Sequence, residues 1–181
     1  KNIVTIKGDF RIESEEYQAS ANYMIIDLDN DSAELIDNVS IYRPAENNVS
    51  ANIDSREKEI RGLASWITAD YVKQKELEND ESVTIISGNV VIKQFDKTLK
   101  GKMATYQKDK YFTLEGFVDV DLENLSWALK PDKRSDISNK DVQDRLSNPL
   151  YLNASYLNVD LIANRMELKG EVVMIQGNTH T

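Results

Sequence analysis

The chain has 181 residues, with 22 Lys plus Arg against 31 Asp plus Glu, a formal net charge of −9 and no cysteine. An acid surplus without a basic run excludes the clustered cations that nucleic-acid binding needs. Zero cysteine excludes disulfides, thiolate metal sites and cysteine nucleophiles. The composition, 40% apolar and 29% charged, is that of a globular chain, and runs such as Tyr23-Met24-Ile25-Ile26 are far too short for a membrane-spanning helix.

The predicted elements are strands. Val4, Ile6, Gly8, Phe10 and Ile12 alternate with Thr5, Lys7, Asp9 and Arg11, a period of two that gives one buried and one wet face. The chain is already in strand phase at its first residues, which predicts that an export signal or anchor has been removed upstream. Ala21-Asn22-Tyr23 follows, then the turn Asp29-Asn30-Asp31 and Asp37. A weaker copy, Ala51-Asn52-Ile53, is followed by a turn at Asp54-Ser55 and by Gly62. Ala69-Asp70-Tyr71, a turn at Asn79-Asp80, and the alternation Ile86, Gly88, Val90, Ile92 come next. Ala104-Thr105-Tyr106 and Lys108-Asp109-Lys110 precede Leu114, Gly116, Val118, Val120 and Leu122. Residues 130–149 are polar and bracketed by Pro131 and Pro149. Ser138 to Leu146 reads as a short helix with Ser138 as N-cap, within an exposed insertion. Ala154-Ser155-Tyr156, a turn at Ala163-Asn164-Arg165, and Met166, Leu168, Gly170, Val172, Met174 complete the series.

Gly8, Asp37, Gly62, Gly88, Gly116 and Gly170 are spaced by 29, 25, 26, 28 and 54 residues. A fixed period of this size marks an array of similar supersecondary units, with one copy missing near residue 143. Each unit reads as strand–turn–strand, and Asp37 is tolerable in a slot that needs an unusual backbone angle. The expectation is an all-β chain of repeated antiparallel hairpins in a single domain, 1–181, curved at the same slot in each layer.

Catalytic signatures are few. The lone histidine, His180, lies in a polar tail and makes a poor triad base or metal ligand. No Gly-x-x-x-x-Gly-Lys loop is present. Asp27, Asp29 and Asp31 begin like a calcium loop but lack the required Gly and Glu, so a satisfied turn is expected. Most carboxylates fall in the outward phase or in turns. The reading is therefore of no enzyme, no cofactor and no metal. What remains is the apolar face, which forms either a dry core or a trough for acyl chains, and open sheet edges able to add a neighbour's strand.

Ile67-Thr68-Ala69-Asp70-Tyr71 followed by Ile86-Ser87-Gly88-Asn89-Val90-Val91-Ile92 resembles the OstA-like family of lipopolysaccharide-transport proteins. Gly116-Phe117-Val118 and Gly170-Glu171-Val172 repeat the theme, and the resemblance covers the chain except for 130–149. It implies a twisted β-jellyroll, open along a seam, that shields lipid A acyl chains while sugars project outward. Protomers would join edge to edge into a periplasmic bridge between the membranes, with an inner-membrane transporter complex as a further partner. A strand-phase start fits an anchored LptC-like member better than a free LptA-like bridge. Strand phase gives the inward candidates Ile86, Val90, Ile92, Leu114, Val118, Val120, Met166, Leu168 and Val172. Two rival readings stay open: a β-repeat structural or adhesive module that binds through outward residues such as Lys93, Lys97 and Lys102, and a carbohydrate-active enzyme with two carboxylates in one cleft.

Overall fold

A computed structural model describes residues 1–45, 62–107, 110–123, 140–163 and 165–177. The chain is all-β. Ten strands form one antiparallel sheet: β1 (Ile3–Glu13), β2 (Gln18–Asp27), β3 (Ser32–Arg43), β4 (Ser65–Glu76), β5 (Ser82–Gln94), β6 (Lys97–Gln107), β7 (Tyr111–Leu122), β8 (Leu150–Asp160), β9 (Arg165–Lys169) and β10 (Val173–Gln176). From β1 to β8 each strand pairs with its neighbours in sequence. Both β9 and β10 pair with β8, at Tyr156–Asp160 and at Leu150–Asn153 respectively. They are thus two halves of one edge strand, interrupted at 170–172. β1 does not pair with β9 or β10, so the sheet curls into an open twisted jellyroll and does not close into a barrel.

The recurring glycine slot is a β-bulge. Gly8-Asp9 stand against Asn22, Asp37-Asn38 against Asp70, Gly88-Asn89 against Lys102, and Gly116-Phe117 against Ser155. Two residues opposing one bend the strand and increase its twist. Repeating the bulge on β1, β3, β5 and β7 curls the whole sheet. The slot is left-handed: φ is +75° at Gly88, +61° at Asp37 and +58° at Phe117. Asp and Asn reach this region at modest cost, a Phe at more. Gly88 is constrained twice, because a Cβ there would also collide with the Asp70 side chain on β4. Asp70 Oδ2 meanwhile accepts a hydrogen bond from Asn89 Nδ2 at 3.0 Å.

The register corrects three expectations. Gly62 lies in the turn before β4, outside any strand slot. The true slots are 8, 37, 88, 116 and 170, so no unit is missing near 143. The β3–β4 and β7–β8 hairpins instead carry long connections at one end of the sheet. The Ala-x-Tyr copy on β6 is also out of register with the others. Ala21 pairs with Phe10, Ala69 with Val39 and Ala154 with Val118. The equivalent partner of Val90 is Gly101, three residues before Ala104. Glycine replaces alanine there because a Cβ would sit 2.6 Å from Leu114 Cδ1. The helix α1 (Lys140–Leu146) forms within the insertion, while Ser138 lies outside the described residues. So do Ala51-Asn52-Ile53, Asp54-Ser55, Lys108, Asp109, Asn164 and His180.

The core lies on one face of the sheet. On odd strands its residues keep one parity through the bulge, as Ile86 and Val90 do. On even strands parity switches, as from Ala69 to Val72. Small alanines on the even strands leave room for Val39, Leu114, Val118, Leu152 and Leu157, all nearly fully buried. Among the described residues no second layer of strands covers this face, and the burial comes from the sheet curling over it.

Candidate functional site: an apolar face that opens at both sheet edges

The inward face is sealed in the middle and open at the ends. Ile86, Val90, Leu114, Val118 and Val120 are buried, Leu114 and Val118 to 0% exposure. Ile92 and Leu168 are partly buried against them. Met166, which pairs with Val159, stands on the same face but is 44% exposed, and Val172, 45% exposed, lies in the break between β9 and β10. Cross-strand partners share a face. Because Met174 pairs with Leu152, Val4 with Ile26 and Ile6 with Met24, these exposed residues extend the same apolar layer. Met174 is 63% exposed, and Val4 and Ile6 are exposed as well. The candidate inward set thus divides into a dry core from β5 and β7 and an accessible rim on β9 and the segment leading to β10. Strand phase missed Val4, Ile6 and Met174 as rim residues, although their parity signalled the face.

The rim coincides with the free edges. β1 is exposed along most of its length, and all four residues of β10 are exposed. Ile3, Val4 and Ile6 at one edge face solvent beside unpaired backbone groups, as do Val173, Met174 and Ile175 at the other. Such edges are templates for strand addition.

Compared with known proteins, the chain matches no family model and no curated protein.

The electrostatics hold the scaffold together around this face. Lys110 Nζ binds both Glu81 oxygens at 2.7 and 2.8 Å, and Gln107 donates to the same carboxylate. The bond from Lys110 holds the Glu81 carboxyl below its ordinary value and clamps two neighbouring turns. Lys73 meets Glu34 at 2.8 Å across β3 and β4, and this bond raises the lysine pKa. At the β2–β3 turn, Asp27 accepts from the N–H groups of Asp29 and Asn30 and from the Asn30 amide. The Asn30 amide bond leads in lowering its pKa. Asp29 in turn accepts from Asn2 at 3.0 Å, tying the start of β1 to this turn. Among the described residues no cluster of three or more His, Cys, Asp or Glu converges as a metal site would, and no helix is long and apolar enough to cross a membrane.

Proposed function

We propose that this protein is a non-catalytic carrier of lipopolysaccharide that shields lipid A acyl chains on its inward apolar face. One observation carries the reading: the apolar layer of the sealed core continues to exposed residues at both open edges, Val4 and Ile6 at one and Met166 and Met174 at the other. A purely structural sheet gains nothing by leaving large apolar side chains wet along its seam, since burying each would contribute about 1.5–3 kcal/mol. An acyl chain laid along the seam covers them. The exposed edges fit edge-to-edge addition of further copies or of proteins with the same fold. The resemblance to OstA-like proteins leads to the same proposal: a periplasmic, LptC-like or LptA-like segment of a bridge from inner to outer membrane, docked in the first case on an inner-membrane transporter complex.

Photocrosslinking to purified lipopolysaccharide tests this. A photoreactive residue is placed at Val4, Val172 and Met174 on the rim, at Val118 in the sealed core, and at Asp119 and Glu171 as outward controls. Crosslinks confined to the rim are expected. No crosslink at any rim position in folded protein would defeat the transport reading and leave the β-repeat structural or adhesive module.

A further inference from the structure

A second feature lies on the opposite, wet face. The cross-strand pairs Arg11–Ser20, Gln18–Tyr42, Ser20–Ser40 and Tyr42–Trp66 bring side chains from β1 to β4 to one side of the sheet. Together they line a groove of about 270 Å³. The Tyr42 and Trp66 rings pack with centroids 5.1 Å apart and planes tilted by 37°, and Trp66 is 47% exposed although both neighbouring strands are paired. Arg11 Nη2 donates to Gln18 Oε1 at 2.8 Å and meets Glu13 Oε1 at 2.8 Å. The guanidinium is thereby fixed beside the groove and its charge is offset, with further N–H donors in its fork.

From this arrangement we infer that the outer-face groove of β1–β4 binds a pyranose ring, with Trp66 and Tyr42 as the stacking platform and Arg11, Gln18, Ser20 and Ser40 as hydrogen-bonding partners. A pyranose has an apolar C–H face and a hydroxyl edge. The site offers the exposed Trp66 ring, with Tyr42 tilted against it, bordered by amide, hydroxyl and guanidinium groups. Arg11 is paired with Glu13, and Lys93, the β5 partner of Trp66, adds a further donor on the same face. The volume lies just below the range of pockets for drug-sized ligands and suits a single ring. This inference is independent of the acyl-chain reading, because the groove and the rim are on opposite faces.

Trp66 is its own reporter. The chain holds two tryptophans, so Trp127→Phe leaves Trp66 alone. That full-length variant is titrated with methyl β-D-glucopyranoside and with chitotriose while its fluorescence is followed. A saturable change in the millimolar range is expected. Ligand-detected NMR then compares variants whose circular dichroism matches the parent. Trp66→Ala weakens binding about tenfold, Trp66→Phe restores part of the loss, and Arg11→Ala weakens it by a smaller factor. Tyr111→Ala, in the separate groove lined by Tyr111, Tyr156 and Asn158, leaves binding unchanged. The inference is overturned if neither sugar gives a saturable change, or if Trp66→Ala binds like the parent. Equal loss on Tyr111→Ala overturns it too, by moving the site elsewhere. Failure here leaves the rim crosslinks untouched, and absent rim crosslinks leave this site untouched.

Discussion

Val118 and Val172 occupy the same slot of the repeat, each two residues after its glycine, yet Val118 is 0% exposed and Val172 is 45% exposed. The local sequence does not differ in kind. Val118 lies within β7 with β6 and β8 on its flanks, whereas Val172 lies in the break between β9 and β10, outside any strand and at the edge of the sheet. In a curled but unclosed sheet, burial is set by distance from the seam. The middle strands form a dry core by geometry, and the edge strands present the same apolar pattern to whatever lies against them.

The difference is measurable. Leu114→Ala, in the sealed middle, is expected to cost about 2–5 kcal/mol in urea unfolding. Met174→Ala on the rim should stay within about 0.5 kcal/mol. Comparable losses would mean that the rim is packed as tightly as the core.

The bulges sharpen it next. Gly88→Ala carries the left-handed penalty of about 1–2 kcal/mol and also displaces the Asp70 side chain that Asn89 binds, adding about 1 kcal/mol. Gly8→Ala, on the edge strand, meets nothing within 4 Å and should show the backbone penalty alone. Equal values from differential unfolding would show that close approach at Gly88 does not matter.

A smaller effect comes from Phe117, which is left-handed, 74% exposed, and covered on its ring by Lys102 Nζ at 4.6 Å. Phe117→Asn relieves the backbone and loses the cation–ring contact, for a net gain of about 0.5 kcal/mol. An unchanged or lowered melting temperature would mean that the Lys102 contact outweighs the strain.

The smallest effect is electrostatic. Lys110 depresses the folded pKa of Glu81, so the pair's contribution is present above the unfolded value and is lost as pH falls through the folded one. Glu81→Gln should therefore be slightly less stable than the parent at about pH 7, and the gap should close as pH falls through the folded value of Glu81. A gap that persists in acid would assign the loss to the hydrogen bonds and not to the charge.

Much of this was legible in the residues. The period-two pattern from Ile86 to Ile92 and from Leu114 to Leu122 assigned strands and the inward phase, because odd strands keep their parity through the bulge. The same logic failed on β6. There Ala104-Thr105-Tyr106 has the right letters in the wrong register, and Gly101-Lys102-Met103 fills the slot because Leu114 leaves no room for a Cβ at residue 101. Gly62 misled in the same way: a turn glycine and a bulge glycine are the same letter, and only strand pairing separates them.

The alternation of apolar and polar residues, the glycine and Asp-Asn slots and the turn residues determined by themselves that this chain is a series of antiparallel strands with one apolar face. These preferences are local, arising from backbone sterics and a two-residue repeat. The tertiary structure alone decided which apolar residues are sealed and which line the rim, and that Arg11, Tyr42 and Trp66 meet on the outer face. Both depend on how the sheet curls and where it stops, and on residues up to 55 positions apart in the chain being set side by side.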